Sequence, residues 1–265
     1  MTEEQFIMTC VYVLTGILGL CVGSFLNVVI YRVPIGMSLA KPDSHCPKCG
    51  YKLRWYDNIP VLSYLILGAK CRSCRARISP RYMLVEILNA LLWLLCAYLF
   101  WQRSIVYAAI SMIVLSTLIC IFFIDLAHML IFDRFTLTVL VMGLCATFFD
   151  PSTKGYEHLI GALAAGGLFL AIYYIAIWVL DKEGLGFGDV KLAFAAGLLL
   201  GWKKMLFALL LASVAASIVL LILRKRRGDD TDKEYPFGPF LAGGFALSLL
   251  FGDTVIRFYL SMFSL

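Results

Sequence analysis

Charge is the first thing this chain is short of. Asp, Glu, Lys and Arg make up 15% of its 265 residues, 62% are hydrophobic, and the mean hydropathy is +0.88. Soluble domains carry about 25% charged residues, so a composition this apolar excludes a soluble globular protein and leaves a polytopic membrane protein. Basic residues are also missing at the start: residues 2–5 hold Glu3 and Glu4 but no Lys or Arg. The basic region of a cleavable signal peptide is therefore lacking, and the first apolar run is expected to remain as a spanning helix. No internal repeat, no low-complexity tract and no glycine-rich nucleotide loop behind a strand can be found.

What is abundant is long apolar sequence. A helix rises ~1.5 Å per residue and must cross ~30 Å of hydrocarbon, which takes about 20 residues. Eight runs qualify as candidates, at residues 6–30, 83–101, 105–124, 135–149, 159–180, 190–201, 205–223 and 240–263. The fourth and sixth are short. The intervals between them fall into two alternating sets, and one set (31–82, 125–134, 181–191 and 224–239) holds 18 of the 23 Lys and Arg. By the positive-inside rule that set is cytoplasmic and both termini lie outside. The same placement accounts for the net charge of +6 without nucleic acid. If the sixth run turned back instead of crossing, Arg224-Lys225-Arg226-Arg227 would fall outside, so it is expected to span. The acidic stretch Asp229-Asp230-Thr231-Asp232 reads as solvated loop. The predicted fold is an all-α membrane protein of about eight transmembrane helices, organised as a first helix (1–30), a cytoplasmic four-cysteine module (31–82) and a seven-helix domain (83–265).

The module carries Cys46-Pro47-Lys48-Cys49 and Cys71-Arg72-Ser73-Cys74, two CxxC knuckles separated by 21 residues. Two such knuckles complete a tetrahedral four-thiolate shell with no open coordination position, which is a structural rather than a catalytic zinc site. Two disulfides are the alternative, and a reducing cytoplasm favours metal. His45 reads as a loop residue. Cys10, Cys21, Cys96, Cys120 and Cys145 lie in apolar runs as small hydrophobes.

Two carboxylates stand where apolar runs end or begin. Asp125 follows the third run, at a helix C-terminus whose dipole disfavours an anion. Asp189 opens the sixth, within Gly186-Phe187-Gly188-Asp189-Val190-Lys191. Helix capping is a sufficient explanation for Asp189 and for Asp133. Ionisable groups at membrane depth are also default functional candidates, as an acid–base pair or an ion path. A pair sharing one proton would supply both base and acid for peptide hydrolysis, and glycines beside it admit an extended backbone.

Taken together and in order, these residues resemble the type IV prepilin leader peptidases, membrane aspartyl proteases of the GxGD kind. The resemblance covers Gly23-Ser24-Phe25-Leu26-Asn27-Val28-Val29-Ile30-Tyr31-Arg32, both knuckles, Asn58-Ile59-Pro60-Val61-Leu62-Ser63-Tyr64, Asp125 with His128 and Asp133, Gly186 to Lys191, and Pro236-Phe237-Gly238-Pro239. The chain departs from the family's usual pattern at Ile131-Phe132-Asp133, Arg81-Tyr82-Met83 and Gly68-Ala69-Lys70. The resemblance implies a multi-pass protein of the bacterial inner membrane, with Asp125 and Asp189 as the catalytic pair and Gly186, Gly188 and Lys191 in support. It also implies prepilin or pseudopilin precursors as partners, cut at the cytoplasmic face, and N-methylation of the product from S-adenosylmethionine. Glu86 stands near the start of the second helix, where methylation or interface anchoring would each use it. The competing classes are a transporter or channel with carboxylates at its mouth, another intramembrane aspartyl protease, and a peptidase without methyl transfer.

Overall fold

A computed structural model describes residues 2–180, 185–227 and 235–263. The acidic stretch at 229–232 lies outside them. Among the described residues regular structure is helical: α1 Glu3–Arg32, α2 Leu62–Ile66, α3 Arg81–Phe100, α4 Ile105–His128, α5 Asp133–Phe149, α6 Gly155–Leu180, α7 Phe187–Arg227 and α8 Gly238–Phe263, with a 3-10 turn at Trp55–Asn58. Six of these (α1, α3, α4, α6, α7 and α8) are long and apolar enough to cross a membrane. Helix ends follow local chemistry. Thr2 and Gln5 form a capping box at the start of α1, and Ser104 accepts the Tyr107 N–H at the start of α4.

The chain divides into two compact units, residues 1–99 and 100–265. In the first, α1 and α3 pack backbone to backbone: a Cβ on Gly19 would lie 2.8 Å from the Ala90 Cα, and one on Gly23 would lie 2.7 Å from the Glu86 Cα. Small residues at such a crossing replace the hydrophobic drive that lipid cannot supply. The four-cysteine module sits in the chain between these two helices.

In the second unit α4 is the most buried helix, and α7 is broken at Gly201 (φ 73°, ψ 165°), a conformation suited to glycine. The break reverses the chain. Along the first limb, Phe187, Phe194, Gly197 and Leu198 meet Tyr173, Gly166, Gly161 and His158 of α6 in turn. Along the second, Lys204 meets Ser248 and Gly252 of α8, whereas Ala208 and Ala212 meet Gly244. Both limbs are therefore antiparallel to their neighbours, and residues 224–227 return toward the end from which α7 began. With α5 and the two limbs counted separately, eight helical segments answer the eight predicted runs. The short sixth run forms a limb of its own.

A buried ionic cluster pins the turning end. Lys204, 2% exposed, places Nζ 2.9 Å from the Asp150 carboxylate and 3.6 Å from Asp253. His158 donates its Nδ1–H to the Leu198 carbonyl and turns Nε2 to within 3.8 Å of Asp150.

Candidate active site and metal centre

At the other end of the second unit the two sequence-predicted carboxylates come together. Asp125 lies one turn before the end of α4, which closes at Met129 in the left-handed conformation with its N–H on the Asp125 carbonyl at 2.8 Å. Asp189 lies in the first turn of α7, its backbone N–H on the Gly186 carbonyl at 3.0 Å. Both side chains are buried, at 5% and 8% exposure, and their charges interact. Each carboxylate takes one glycine N–H, Asp125 from Gly238 and Asp189 from Gly186. Asp189 Oδ1 has no hydrogen-bond partner, and among the described residues no cation pairs with either acid. The side chain that could have served only as a helix cap is thus left with an open acceptor.

The supporting residues separate into different tasks. A Cβ on Gly188 would lie 3.0 Å from the Ile131 Cβ, so the room this glycine leaves is taken by the α4–α5 connection rather than left open. Lys191 bonds Asp133 at 2.7 Å, away from the pair, and lies over the Phe187 ring. Gly238 was not singled out from sequence as a site residue, yet a Cβ there would sit 2.5 Å from Asp125 Oδ2. Its only sequence signal is the Pro-Phe-Gly-Pro stretch at a helix start. An apolar cavity of about 740 Å³ opens between α5, α6 and the first limb of α7, lined by Leu137, Leu163, Leu170, Phe194 and the neighbours of Asp189 in sequence, Phe187 and Val190, but not by either acid of the pair.

In the first unit the knuckles fold as a matched pair. Cys46 and Cys71 donate their N–H groups to Tyr51 and Ala76, and accept from Gly50 and Arg75, both at positive φ. All four sulfurs lie within 4.8 Å of one another, with Cys46–Cys74 at 3.9 Å and Cys49–Cys71 at 4.0 Å. Four thiolates about 2.3 Å from one tetrahedral ion are about 3.8 Å apart, so the set fits a metal. Backbone N–H groups of Cys49 and Lys48 draw the Cys46 thiol down to about 7. Cys74 is pushed up to about 11: the Ala76 N–H works to lower it, but Cys49, partial burial, Cys71 and Cys46 outweigh that. Thiols so crowded cannot all ionise without a cation among them. Asp57 braces the module by pairing with Arg72 at 2.7 Å. His45 turns to the Asp43 carbonyl, and Cys10, Cys21, Cys96, Cys120 and Cys145 are free.

Two family models match the chain: the bacterial peptidase A24 N-terminal domain over residues 17–100 and the type IV leader peptidase family over 112–221. The chain is 36% identical to a prepilin leader peptidase/N-methyltransferase of Pseudomonas aeruginosa over 93% of its length and 92% of that protein. A protein of the same name from Aeromonas salmonicida is 36% identical over 94% and 93%, and one from Myxococcus xanthus is 40% identical over 76% and 60%. No solved structure matches. With both halves of the family pattern present in order and similarity running nearly end to end, the chain belongs to the type IV leader peptidase family.

Proposed function

We propose that this chain is an aspartyl endopeptidase of the bacterial inner membrane that removes the leader of a prepilin or pseudopilin and then N-methylates the new amino terminus. The observation that carries the peptidase reading is the buried Asp125–Asp189 pair, two acids that no cation among the described residues pairs with, each held by one glycine N–H. Such a pair keeps one proton between them. The ionised member takes a proton from water as its oxygen attacks the scissile carbonyl carbon, and the protonated member donates to the carbonyl oxygen. Collapse of the tetrahedral intermediate breaks the C–N bond as a proton passes to the leaving amine. Asp189 Oδ1 is the acceptor left open for that water. The apolar cavity beside Val190 suits a substrate whose segment next to the cut is a membrane helix.

The sidedness follows charge: the basic intervals face the cytoplasm, both termini lie outside, and cleavage occurs at the cytoplasmic edge. Cys46, Cys49, Cys71 and Cys74 would hold a structural zinc ion, and S-adenosylmethionine would supply the methyl group. The pair is tested by incubating the purified chain in detergent with a prepilin and an excess of S-adenosylmethionine. Wild type should release the leader and add the mass of one methyl group. Asp125→Asn and Asp189→Asn should remain folded and release none, and near-normal cleavage by either variant would sink the assignment. For the module, elemental analysis should find about one zinc per chain. Full alkylation of all four knuckle thiols in a folded, metal-free protein would refute it.

A further inference from the structure

The first unit holds a second buried acid, and the cleavage chemistry has no use for it. Glu86, in the second turn of α3, is 8% exposed. Its Oε2 accepts the Val61 N–H at 2.7 Å, and the Ser24 hydroxyl also donates to it. Val61 is held at φ 62°, ψ −50°, with the Leu62 N–H on the Pro60 carbonyl at 2.6 Å. A bond from residue i+2 back to i around a positive φ is the rarer, strained γ-turn, and a β-branched residue is a poor occupant of it. Strain of this kind persists where the surroundings impose it, and it clusters at functional sites. Here it aims one N–H at one carboxylate.

The neighbours of Glu86 are acceptors too. Asn27, 3% exposed, spends its amide N–H groups on the Gly23 and Tyr82 carbonyls, at 3.3 and 3.0 Å, and its Oδ1 has no partner. Gly23 packs its backbone against Glu86 where any Cβ would collide. The elements around Glu86 carry many charged groups, among them Arg32 on α1, Arg81 on α3 and Asp57 in the module. Arg32 is engaged by the carbonyls of Ser38, Leu39 and Pro42, Asp57 is paired with Arg72, and Arg81 lies over the Tyr82 ring with its buried Nε left without a hydrogen-bond partner. None of them acts on the Glu86 carboxylate, whose interactions are with Val61 and Ser24 alone. A buried carboxylate on which no cation acts among the described residues, and a buried, unpartnered amide oxygen on a side chain bonded to the Gly23 backbone that packs against Glu86, both lack a positively charged hydrogen-bond donor.

We propose that Glu86 is the catalytic residue of methyl transfer: it receives the freshly exposed α-ammonium group of the cleaved substrate, with Asn27 Oδ1 as the second acceptor. The Val61 N–H keeps the place of that ammonium until it arrives, and the strained turn yields it readily. One proton passes from the ammonium to Glu86, because only the neutral amine has a lone pair to attack with. The nitrogen then bonds the methyl carbon of a sulfonium donor while the S–C bond breaks with its electron pair left on sulfur. Charge thus moves from sulfur to the methylated nitrogen, and Glu86 returns its proton to water. This rests on the reading that the chain methylates its product.

The test uses the full-length chain and a pre-cleaved pilin peptide, with the amino terminus free or acetylated. Wild type should bind the free form at least about tenfold more tightly, and Glu86→Gln should bind both alike. Gln keeps a carbonyl oxygen for the Val61 N–H, so a purely positioning role would leave methylation intact. A proton acceptor would not: Glu86→Gln should methylate about 10²- to 10⁴-fold more slowly near neutral pH. The gap should narrow as pH rises past about 8, where the α-amino group deprotonates unaided. Glu86→Gln with the wild-type rate and pH profile would overturn the assignment, as would a wild type indifferent to acetylation. Should the variant fail to fold, the acetylation comparison on wild type decides alone. Absence of methyl transfer by wild type would instead overturn the functional reading, and this assignment with it.

Discussion

The two ends of the second unit bury acids in opposite electrostatic states. At the turn of α7, Asp150 is closed off from solvent with Lys204 at 2.9 Å and His158 beside it. At the other end Asp125 and Asp189 are nearly as buried, and among the described residues what they receive is one glycine N–H each and no cation. A lysine that neutralises a carboxylate fixes both side chains and removes any tendency to exchange protons. Two carboxylates with no cation hold a proton that can move. Burial alone does not mark a site of chemistry; burial without compensation does.

The largest expected effect tests the uncompensated end. Asp125→Asn or Asp189→Asn should lower prepilin cleavage by about 10³-fold or more, since each removes the titrating group on which both proton transfers depend. Neither should lower the melting temperature, because a buried amide costs less than a buried carboxylate pair. Lys204→Met should do the reverse. Stranding Asp150 without its partner should cost about 3–5 kcal/mol of folding stability, read in thermal melts, while the protein that remains folded cleaves within a few-fold of wild type. If Lys204→Met melts normally, or if the aspartate variants are as destabilised as it is, the two ends are not distinct in kind.

Gly238→Ala sharpens the comparison at smaller scale. The added methyl would lie 2.5 Å from Asp125 Oδ2, so the carboxylate or the start of α8 must shift. Displacement by a fraction of an ångström should reduce the turnover rate by roughly 10- to 100-fold with the fold intact. Cleavage kinetics and melts of the same preparation check both halves.

Much of this was legible in the sequence, because its signals were local. Apolar runs gave the helices, and the basic Arg224-Lys225-Arg226-Arg227 argued that the sixth and seventh runs are separate segments, as the break at Gly201 makes them. The CxxC spacing marked the four-sulfur cluster. Asp125 and Asp189 could be named from their positions and offered as an acid–base pair, as caps or as an ion path, and the family resemblance chose the pair. Partnerships across long sequence separations were silent. Nothing near Gly238 says that its missing Cβ makes room for Asp125, and nothing near Lys204 says that its partner is Asp150. Nothing near Gly188 says that a Cβ there would meet Ile131. Glycine announces close approach without saying what approaches.

The smallest expected effect belongs to Asp133, the acid that sequence alone could not distinguish from the pair. Its side chain is 77% exposed and bonds Lys191, itself 40% exposed, at 2.7 Å. A surface pair of this kind contributes about 0–1 kcal/mol and weakens with salt. The first turn of α5 favours an anion by a few tenths of a kcal/mol, which Asn retains in part as a hydrogen-bond acceptor. Asp133→Asn should therefore change cleavage by no more than about twofold and stability by about 0.5 kcal/mol, and even that difference should fade at high salt. The measurement is a salt series of cleavage rates and melts for wild type, Asp133→Asn and Asp125→Asn side by side. If Asp133→Asn abolishes cleavage at every salt concentration while Asp125→Asn stays active, the exposed acid is the catalytic one. The buried pair would then be a structural feature, because a solvent-exposed carboxylate already paired with a lysine would be supplying the chemistry that the absence of any cation was taken to mark.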